Sequence, residues 1–156
     1  MPSDWQLANK FPVLQMVCEK LIECQLQEME ILSAVDVPDM KALVKLTQPG
    51  PFSDRTIEFG TFRGIRDGAR LVAMAGERMK IAGGFDEVSG VCTHPDFQGR
   101  GFGHALTCAV AKQIIEQGNT PFLHVRTDNL AAIHTYESIG FKPRREFCFA
   151  IIRRNN

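Results

Sequence analysis

The residues with the clearest capacity for chemistry lie between 91 and 106, where three glycines alternate with other residues. They are Gly99, Gly101 and Gly103. The pattern predicts a strand that ends, a turn, and a helix that begins at once. The first N–H groups of a helix have no partner inside it, and the helix dipole makes that end positive. Because glycines admit close approach and Arg100 adds a charge, we expect phosphate oxygens to bind here.

Two common phosphate loops are excluded by their spacing. The Walker pattern requires a Gly-Lys-Ser/Thr ending, and no such lysine follows. The dinucleotide pattern G-x-G-x-x-G fails because its third position is Leu106 or His104, depending on the first glycine chosen. What remains is Gln98-x-x-Gly101-x-Gly103 after a strand. By itself, that pattern is also compatible with an ordinary strand-to-helix turn.

A second candidate pair is Asn129 and Tyr136. Seven residues are about two helical turns, so both side chains lie on one face of a short helix. Asp128 or Asn129 is expected to cap this helix, which ends at Gly140. The plainer interpretation is a capping asparagine and a half-buried tyrosine.

The two segments, in this order, resemble the GNAT superfamily of N-acetyltransferases. Gln98-x-x-Gly101-x-Gly103 resembles its pyrophosphate loop for acetyl-coenzyme A. The segment Asn-x-x-Ala-x-x-x-Tyr-Glu-x-x-Gly-Phe at 129–141 resembles the segment after its fifth strand. The resemblance covers 59–141 and extends into 36–58, whereas residues 1–35 match nothing in the family. It implies an α/β (α+β) fold with a mixed, mostly antiparallel central sheet flanked by helices and a splayed parallel pair at the CoA site.

The resemblance also implies roles for individual residues. The pantetheine arm would bind backbone groups of Val91, Cys92 and Thr93. The pyrophosphate would bind Gln98, Gly99, Arg100, Gly101, Phe102 and Gly103. Asn129 would bond the cofactor arm, and Tyr136 would protonate the leaving thiolate, since a phenol is protonated at neutral pH.

A base is also required, because an ammonium has no lone pair with which to attack. The family resemblance points to Glu87, and strand alternation would place it on one face with Ser89, Val91 and Thr93. Partial burial there would raise the pKa of its carboxyl and suit it to accept a proton. Glu77, His94 or a water molecule are the alternatives.

Cys92 beside a thioester invites the idea of an acyl-enzyme. No adjacent base is visible in the sequence, so a small apolar strand residue is the preferred interpretation. Direct transfer in a ternary complex is therefore expected.

The elements that must position these residues are read from periodicity and turn signals. We expect a helix from Asp36, a hairpin about Asp67-Gly68, a strand at 85–93, a helix at 101–117, and strands at 122–126 and 141–154. Residues 1–12 are predicted to be a loose lead-in, 13–22 could be helix or strand, and 15–33 are also compatible with helix. An N-terminal strand would complete the sheet if the chain's end forms one long strand rather than a hairpin.

Length and composition predict a single domain over residues 1–156. The formal net charge is zero, which gives no indication of nucleic-acid or membrane binding. Residues 19–39 are acidic, either as a solvated face or as a surface that receives a cationic amine. Five cysteines without a C-x-x-C pair favour reduced thiols and a cytoplasmic protein, and four histidines lack metal-ligand spacing.

The resulting expectation is an acetyl-CoA-dependent N-acetyltransferase without a metal, acting on a primary amine of a small molecule or peptide. The alternatives are a non-catalytic acyl-CoA-binding module and a transferase of longer acyl chains or to hydroxyl acceptors. An exposed final strand would also allow a homodimer.

Overall fold

The computed structural model describes residues 4–22, 24–25 and 27–155. The strands are β1 (Trp5–Val17), β2 (Glu30–Leu32), β3 (Phe62–Asp67), β4 (Arg70–Ile81), β5 (Phe85–Thr93), β6 (Thr120–Arg126) and β7 (Lys142–Arg154). The helices are α1 (Val37–Thr47), α2 (Phe102–Glu116) and α3 (Leu130–Ile139). In the described part of the chain, no helix is long and apolar enough to cross a membrane.

The strands form one sheet in the order β2-β3-β4-β5-β6-β1-β7. Every neighbouring pair is antiparallel except β5 and β6. The parallel pairing is short and joins 85–87 to 120–122. This arrangement confirms the predicted mixed, mostly antiparallel sheet with one splayed parallel pair.

Helices cover both faces of the sheet. On one face, α2 and α3 bury apolar residues such as Leu106, Ile114 and Ile139 against Val72 and Val88. On the other face, Met40 and Leu43 of α1 pack on Phe62 and Met74. The apolar positions of α2 recur every three or four residues, so one side of the helix meets the sheet.

The central elements agree with the sequence predictions. Asp67-Gly68 does turn between β3 and β4, with Gly68 at a φ of 58° that a side chain would strain. Strand β5 covers the predicted range 85–93, and the end of the chain is one long strand. Helix α1 follows Asp36, with Pro38 in its first turn.

The N-terminal predictions require correction. Residues 5–12 belong to β1 and are not a loose lead-in, and 15–33 contain no α-helix among the described positions. Strand β1 lies between β6 and β7, so Val13–Val17 are bonded on both edges. Val13–Val17 are also covered by the core on one face. Their apolar residues therefore follow no clear helix or strand period, and the sequence pattern cannot assign them. The alternative of an N-terminal strand that completes the sheet is confirmed.

Much of the acidic segment is neutralised by one arginine of β3. The Arg66 guanidinium contacts Glu30 at 2.5 Å, Asp36 at 2.6 Å and Asp39 at 2.8 Å. These carboxylates therefore attach β2 and the start of α1 to the sheet. They are already paired, so the idea that they receive a cationic amine is wrong for these three residues.

The expectation of five reduced thiols is also wrong. The sulfur atoms of Cys24 and Cys108 are bonded, while Cys18, Cys92 and Cys148 are free. The disulfide ties the segment after β1 to the middle of α2 across 84 positions of sequence. Sequence spacing could not reveal it, because folding alone brings these two cysteines together.

The disulfide predicts the number of reactive thiols. In denaturant without reductant, a thiol reagent should label three cysteines, and after reduction it should label all five. The matched variant Cys108→Ser should show four thiols in both conditions, because it frees Cys24. Five thiols in the unreduced wild type would contradict the bond.

Candidate active site

A gap opens in the sheet where the parallel strands separate. Glu87 and Phe122 are the last paired positions of β5 and β6. Beyond them, β6 pairs with β1 at Val13–Val17, while β5 continues beside β4 to Thr93. The edge of β5 that faces the gap, including Val91–Thr93, therefore has backbone groups without a strand partner among the described residues. Such groups are suited to bond an extended ligand.

The glycine-rich loop follows this edge directly. Gly99 and Gly101 have φ values of 76° and 77°, a conformation that favours glycine. The first bond of α2 runs from the Ala105 N–H to the Gly101 carbonyl, at 2.9 Å. The N–H groups of Phe102, Gly103 and His104 therefore precede the helical bonding and point out of its positive end. They form an anion site of the kind that the sequence predicted.

The loop packs close to the end of β5. A Cβ on Gly103 would lie 3.8 Å from Thr93 Oγ1 and 4.0 Å from Val91 Cγ1. The Arg100 guanidinium lies 4.6 Å from the centre of the Phe97 ring. The backbone carbonyl of Arg100 accepts a hydrogen bond from Gln27 Nε2 at 3.1 Å. The structure thus brings together the predicted positions 91–93 and 98–103.

Helix α3 positions Asn129 and Tyr136. The Asn129 side-chain oxygen accepts a hydrogen bond from the Ala132 N–H at 3.2 Å, so this residue caps the helix and keeps its amide donors available. Tyr136 is buried, and burial raises its pKa to about 12. No described residue hydrogen-bonds to its hydroxyl. It is therefore a protonated phenol with an unused donor.

Glu87 is held as a carboxylate, contrary to the expected raised pKa. Burial to 1% exposure favours the neutral acid. Two hydrogen bonds from the Arg78 guanidinium, both 2.8 Å, and one with His124 Nδ1 at 2.9 Å outweigh that burial and lower the pKa. Both oxygens are occupied, so Glu87 is a weak base with little access to a substrate.

The predicted alternation along β5 is interrupted by a β-bulge. Gly90 has a φ of 64°, and the pairing with β4 shifts between Ser89 and Cys92. Val88 and Val91 therefore pack into the same core on the α2 face. Glu87 points to the opposite face, so the prediction that it shares a face with Val91 and Thr93 is wrong.

The two alternative bases are engaged elsewhere. Glu77 is 2% exposed, accepts a hydrogen bond from Gln113 Nε2 and lies 3.4 Å from Lys80 Nζ. The ring of His94 bonds Arg70 and accepts the Asp96 N–H at 3.2 Å. In both arrangements the carboxylate or imidazole is already engaged by neighbouring side chains or backbone.

Cys92 behaves as a core residue. It packs with Met40, Leu43 and Met74, and burial raises the pKa of its thiol to about 11. A thiol is a far weaker nucleophile than a thiolate. The geometry agrees with the interpretation of Cys92 as a small apolar strand residue.

The sequence analysis missed His124 of β6. Its ring bonds Glu87 and lies within hydrogen-bonding distance of Gln15 Nε2, at 3.2 Å. Nothing in its local sequence marks His124, because its partners come from β5 and β1. The one available signal was its position two residues after Phe122, which places it on the face of Glu87 once the parallel register is known.

The chain is similar to several curated proteins and spans half or less of the length of the first two. The chain is 37% identical to N-alpha-acetyltransferase RimI of Mycobacterium tuberculosis over 83 residues, which covers 51% of this chain and 50% of that protein. It is 46% identical to mycothiol acetyltransferase of Rhodococcus erythropolis over 56 residues, covering 35% of this chain and 19% of that protein. The [ribosomal protein bS18]-alanine N-acetyltransferase of Escherichia coli is 29% identical over 140 residues, covering 81% and 86% of the two chains.

Solved structures extend the similarity to the whole chain. A GNAT-family acetyltransferase from Novosphingobium aromaticivorans superposes with a TM-score of 0.93 and 37% identity, covering 99% of this chain and 70% of that one. The Mycobacterium tuberculosis protein Rv2747, solved in complex with CoA, superposes with a TM-score of 0.57 at 17% identity, covering 69% and 70%. The second match shows a shared fold.

The Glu87 network predicts a pH-dependent stability. Because its pairing lowers the pKa of Glu87, the stabilisation is present above the unfolded value of about 4.3 and is lost as the pH falls below it. At pH 7, Glu87→Gln should lose about 3 kcal/mol, since it leaves the Arg78 charge without its partner. Melting curves should show this difference shrinking toward pH 3.

The exposed variant Glu28→Gln is the matched control and should follow the wild type at every pH. A Glu87→Gln deficit that stayed constant from pH 7 to pH 3 would show that folding does not lower the pKa of Glu87.

The family follows from the match to its sequence profile together with the geometry. The profile described as FR47-like protein matches residues 62–150, which is more than half of the chain and includes the loop, Asn129 and Tyr136. The same residues build the gap, the anion site and the buried phenol described above. The chain belongs to the FR47-like family, within the GNAT superfamily of N-acetyltransferases.

Proposed function

We propose that this protein transfers an acetyl group from acetyl-CoA to a primary amine. The observation that carries the proposal is the anion site at the start of α2, which adjoins the open edge of β5 at the separated parallel strands. The site offers donors to a pyrophosphate beside backbone groups suited to an extended amide-containing arm. A CoA thioester has both parts in that order.

The donor side would use groups that are already in place. Backbone groups of Val91, Cys92 and Thr93 would bond the pantetheine arm. The pyrophosphate would meet the loop from Gln98 to Gly103, with the Arg100 charge at its edge. Asn129 would offer its free amide donors to the arm, because its oxygen is used by the helix cap.

The chemistry would be direct attack in a ternary complex. The amine nitrogen attacks the thioester carbonyl, the carbon–sulfur bond breaks, and Tyr136 gives its proton to the departing thiolate. The raised pKa keeps Tyr136 protonated at neutral pH, and the buried thiol of Cys92 argues against an acyl-enzyme. Glu87, as the proposed contributor of basicity, can act only through a group that it contacts, because its own oxygens are occupied.

The acceptor is proposed only as a class, a primary amine on a small molecule or peptide. One relative is named an N-alpha-acetyltransferase and another a [ribosomal protein bS18]-alanine N-acetyltransferase, which favours an α-amine as the first acceptor to test. Asp36, Asp39 and Glu30 are paired with Arg66, so we do not assign the amine to these three carboxylates. A homodimer through the outer edge of β7 stays a prediction.

The anion site can be tested with a matched pair of glycines. Gly99 and Gly118 both have positive φ, at 76° and 83°, and a Cβ would meet nothing within 4 Å at either. Aspartate should therefore cost similar stability at both positions, roughly 1 kcal/mol. Only Gly99→Asp places a negative charge in the loop, so it should weaken CoA binding at least tenfold in calorimetry.

Gly118→Asp should bind CoA as the wild type does, since it lies past the far end of α2. Equal affinities for all three proteins would reject the loop as the pyrophosphate site. Acetyl-CoA binding without turnover on any amine of a panel would instead favour the non-catalytic module.

The acid role predicts the effect of removing one hydroxyl. Tyr136→Phe keeps the ring in the core, so the fold and the KM for acetyl-CoA should change little. The kcat should fall about a hundredfold, the typical value of one positioned proton donor. The kcat is measured as the rate of thiol release from acetyl-CoA at saturating amine. An unchanged kcat would show that Tyr136 is not the acid.

A further inference from the structure

A network of hydrogen-bonded side chains crosses the sheet at the point where the parallel strands separate. Arg78 of β4 donates to Glu87 of β5, and Glu87 Oε1 lies 2.9 Å from His124 Nδ1 on β6. The other ring nitrogen, Nε2, lies 3.2 Å from Gln15 Nε2 on β1. The network thus draws a histidine and a carboxylate together from separate strands.

The partners fix which ring nitrogen carries the proton. Gln15 Oε1 accepts a hydrogen bond from Arg144 Nη1 at 2.6 Å, so the Gln15 amide presents its N–H to His124. A carboxylate can only accept, so His124 Nδ1 donates to Glu87. The lone pair of the neutral imidazole therefore lies on Nε2.

The ring also has a defined place in the gap. His124 is two residues past Phe122, the last position that pairs with β5, and its side chain is 12% exposed. Aromatic rings surround it, with centroid distances of 5.7 Å to Phe122, 6.1 Å to Phe147 and 5.1 Å to Phe149. Such walls hold the imidazole in one orientation and limit water.

We propose that His124 Nε2 accepts the proton of the acceptor amine, and that Glu87 is the residue that positions His124. The inference rests on the proposed acetyl transfer and names the base for it. The Gln15 side-chain N–H lies where an N–H of the substrate ammonium would hydrogen-bond His124 Nε2. An incoming ammonium would displace the Gln15 amide from this position. Glu87 holds the tautomer and balances the imidazolium charge that forms.

The proposed acid and base approach the gap from opposite faces. Tyr136 belongs to the core beneath α2 and α3, whereas His124 lies on the other face with Glu87. In the gap between the strands, Tyr136 can therefore protonate the departing thiolate from one face, and His124 can deprotonate the attacking amine from the other. That division suits a tetrahedral intermediate, which must release sulfur from one side and nitrogen protons from the other.

His124 Nε2 takes one proton from R–NH₃⁺, and the freed lone pair forms the carbon–nitrogen bond. The carbon–sulfur bond then breaks, and the thiolate takes the Tyr136 proton. The amide nitrogen loses its second proton, which restores Tyr136 through solvent, and the imidazolium returns its proton to solvent.

The test compares His124→Gln with His134→Gln, an exposed histidine of α3. His124→Gln should lower kcat/KM at pH 7 about a hundredfold, leave the Kd for CoA unchanged, and lose the rise of activity that deprotonation of the imidazole produces. At a pH high enough to deprotonate the free amine, His124→Gln should regain much of the lost kcat/KM, because no base is then needed. His134→Gln should retain the full wild-type profile.

Glu87→Gln should keep CoA binding but move the ascending limb of the wild-type pH profile to lower pH, because the imidazolium loses its carboxylate. The charged groups around the ring from its neighbouring strands are Glu87, Arg78, Arg126, Arg144 and Arg145. Uniform loss at all pH values in His124→Gln would indicate a structural role and overturn the proposal.

A second measurement separates this inference from the proposed function, because it needs no substrate. Nitrogen-15 spectra of the histidine rings should show neutral His124 protonated at Nδ1 in the wild type. A proton found at Nε2 would overturn the inference even if acetyl transfer is observed. The expected tautomer without any acetyl transfer would instead leave the site geometry intact and reject the proposed function.

Discussion

The separation of two parallel strands after Glu87 and Phe122 is the constraint on which the rest of the structure depends. A sheet normally satisfies the backbone groups of its interior strands, and an unpaired interior edge is costly. Here β6 keeps its pairing with β1 on one edge and β5 keeps its pairing with β4, but β5 and β6 no longer pair with each other. The facing edges of β5 and β6 are therefore open beyond these two residues, and a ligand with its own amide groups can satisfy them.

The same separation explains why a charged cluster lies at the base of the gap. A carboxylate with 1% exposure would be unstable without partners, and Arg78 and His124 supply them. The cluster bridges β4, β5 and β6 just before the strands diverge. The side-chain hydrogen bond between Glu87 and His124 thus joins β5 to β6 where their backbone pairing ends.

Local signals sufficed for the centre of the chain. Asp67-Gly68, the glycines at 99–103 and the cap at Asn129 each act over a few residues, so the hairpin, the loop and α3 were predictable. Strand β1 was not, because its partners are more than a hundred positions away. Gly90 was read as an ordinary strand position, yet its bulge reverses the face of Val91 relative to Glu87. The disulfide and the His124 contacts likewise depend on tertiary placement.

The two ends of the chain and its middle contribute different parts of the gap. The stretch 62–150 that matches the family contains the loop, Asn129, Tyr136, Glu87 and His124. Gln15 and Phe11, which lie on the same face as His124, come from β1, outside that stretch. Strand β1 thus supports the far edge of β6 and contributes Gln15 beside His124. A change of Gln15 that preserves the pairing of β1 should therefore alter the acceptor side and leave the donor side intact, because the described contact of Gln15 on this face is with His124 of β6.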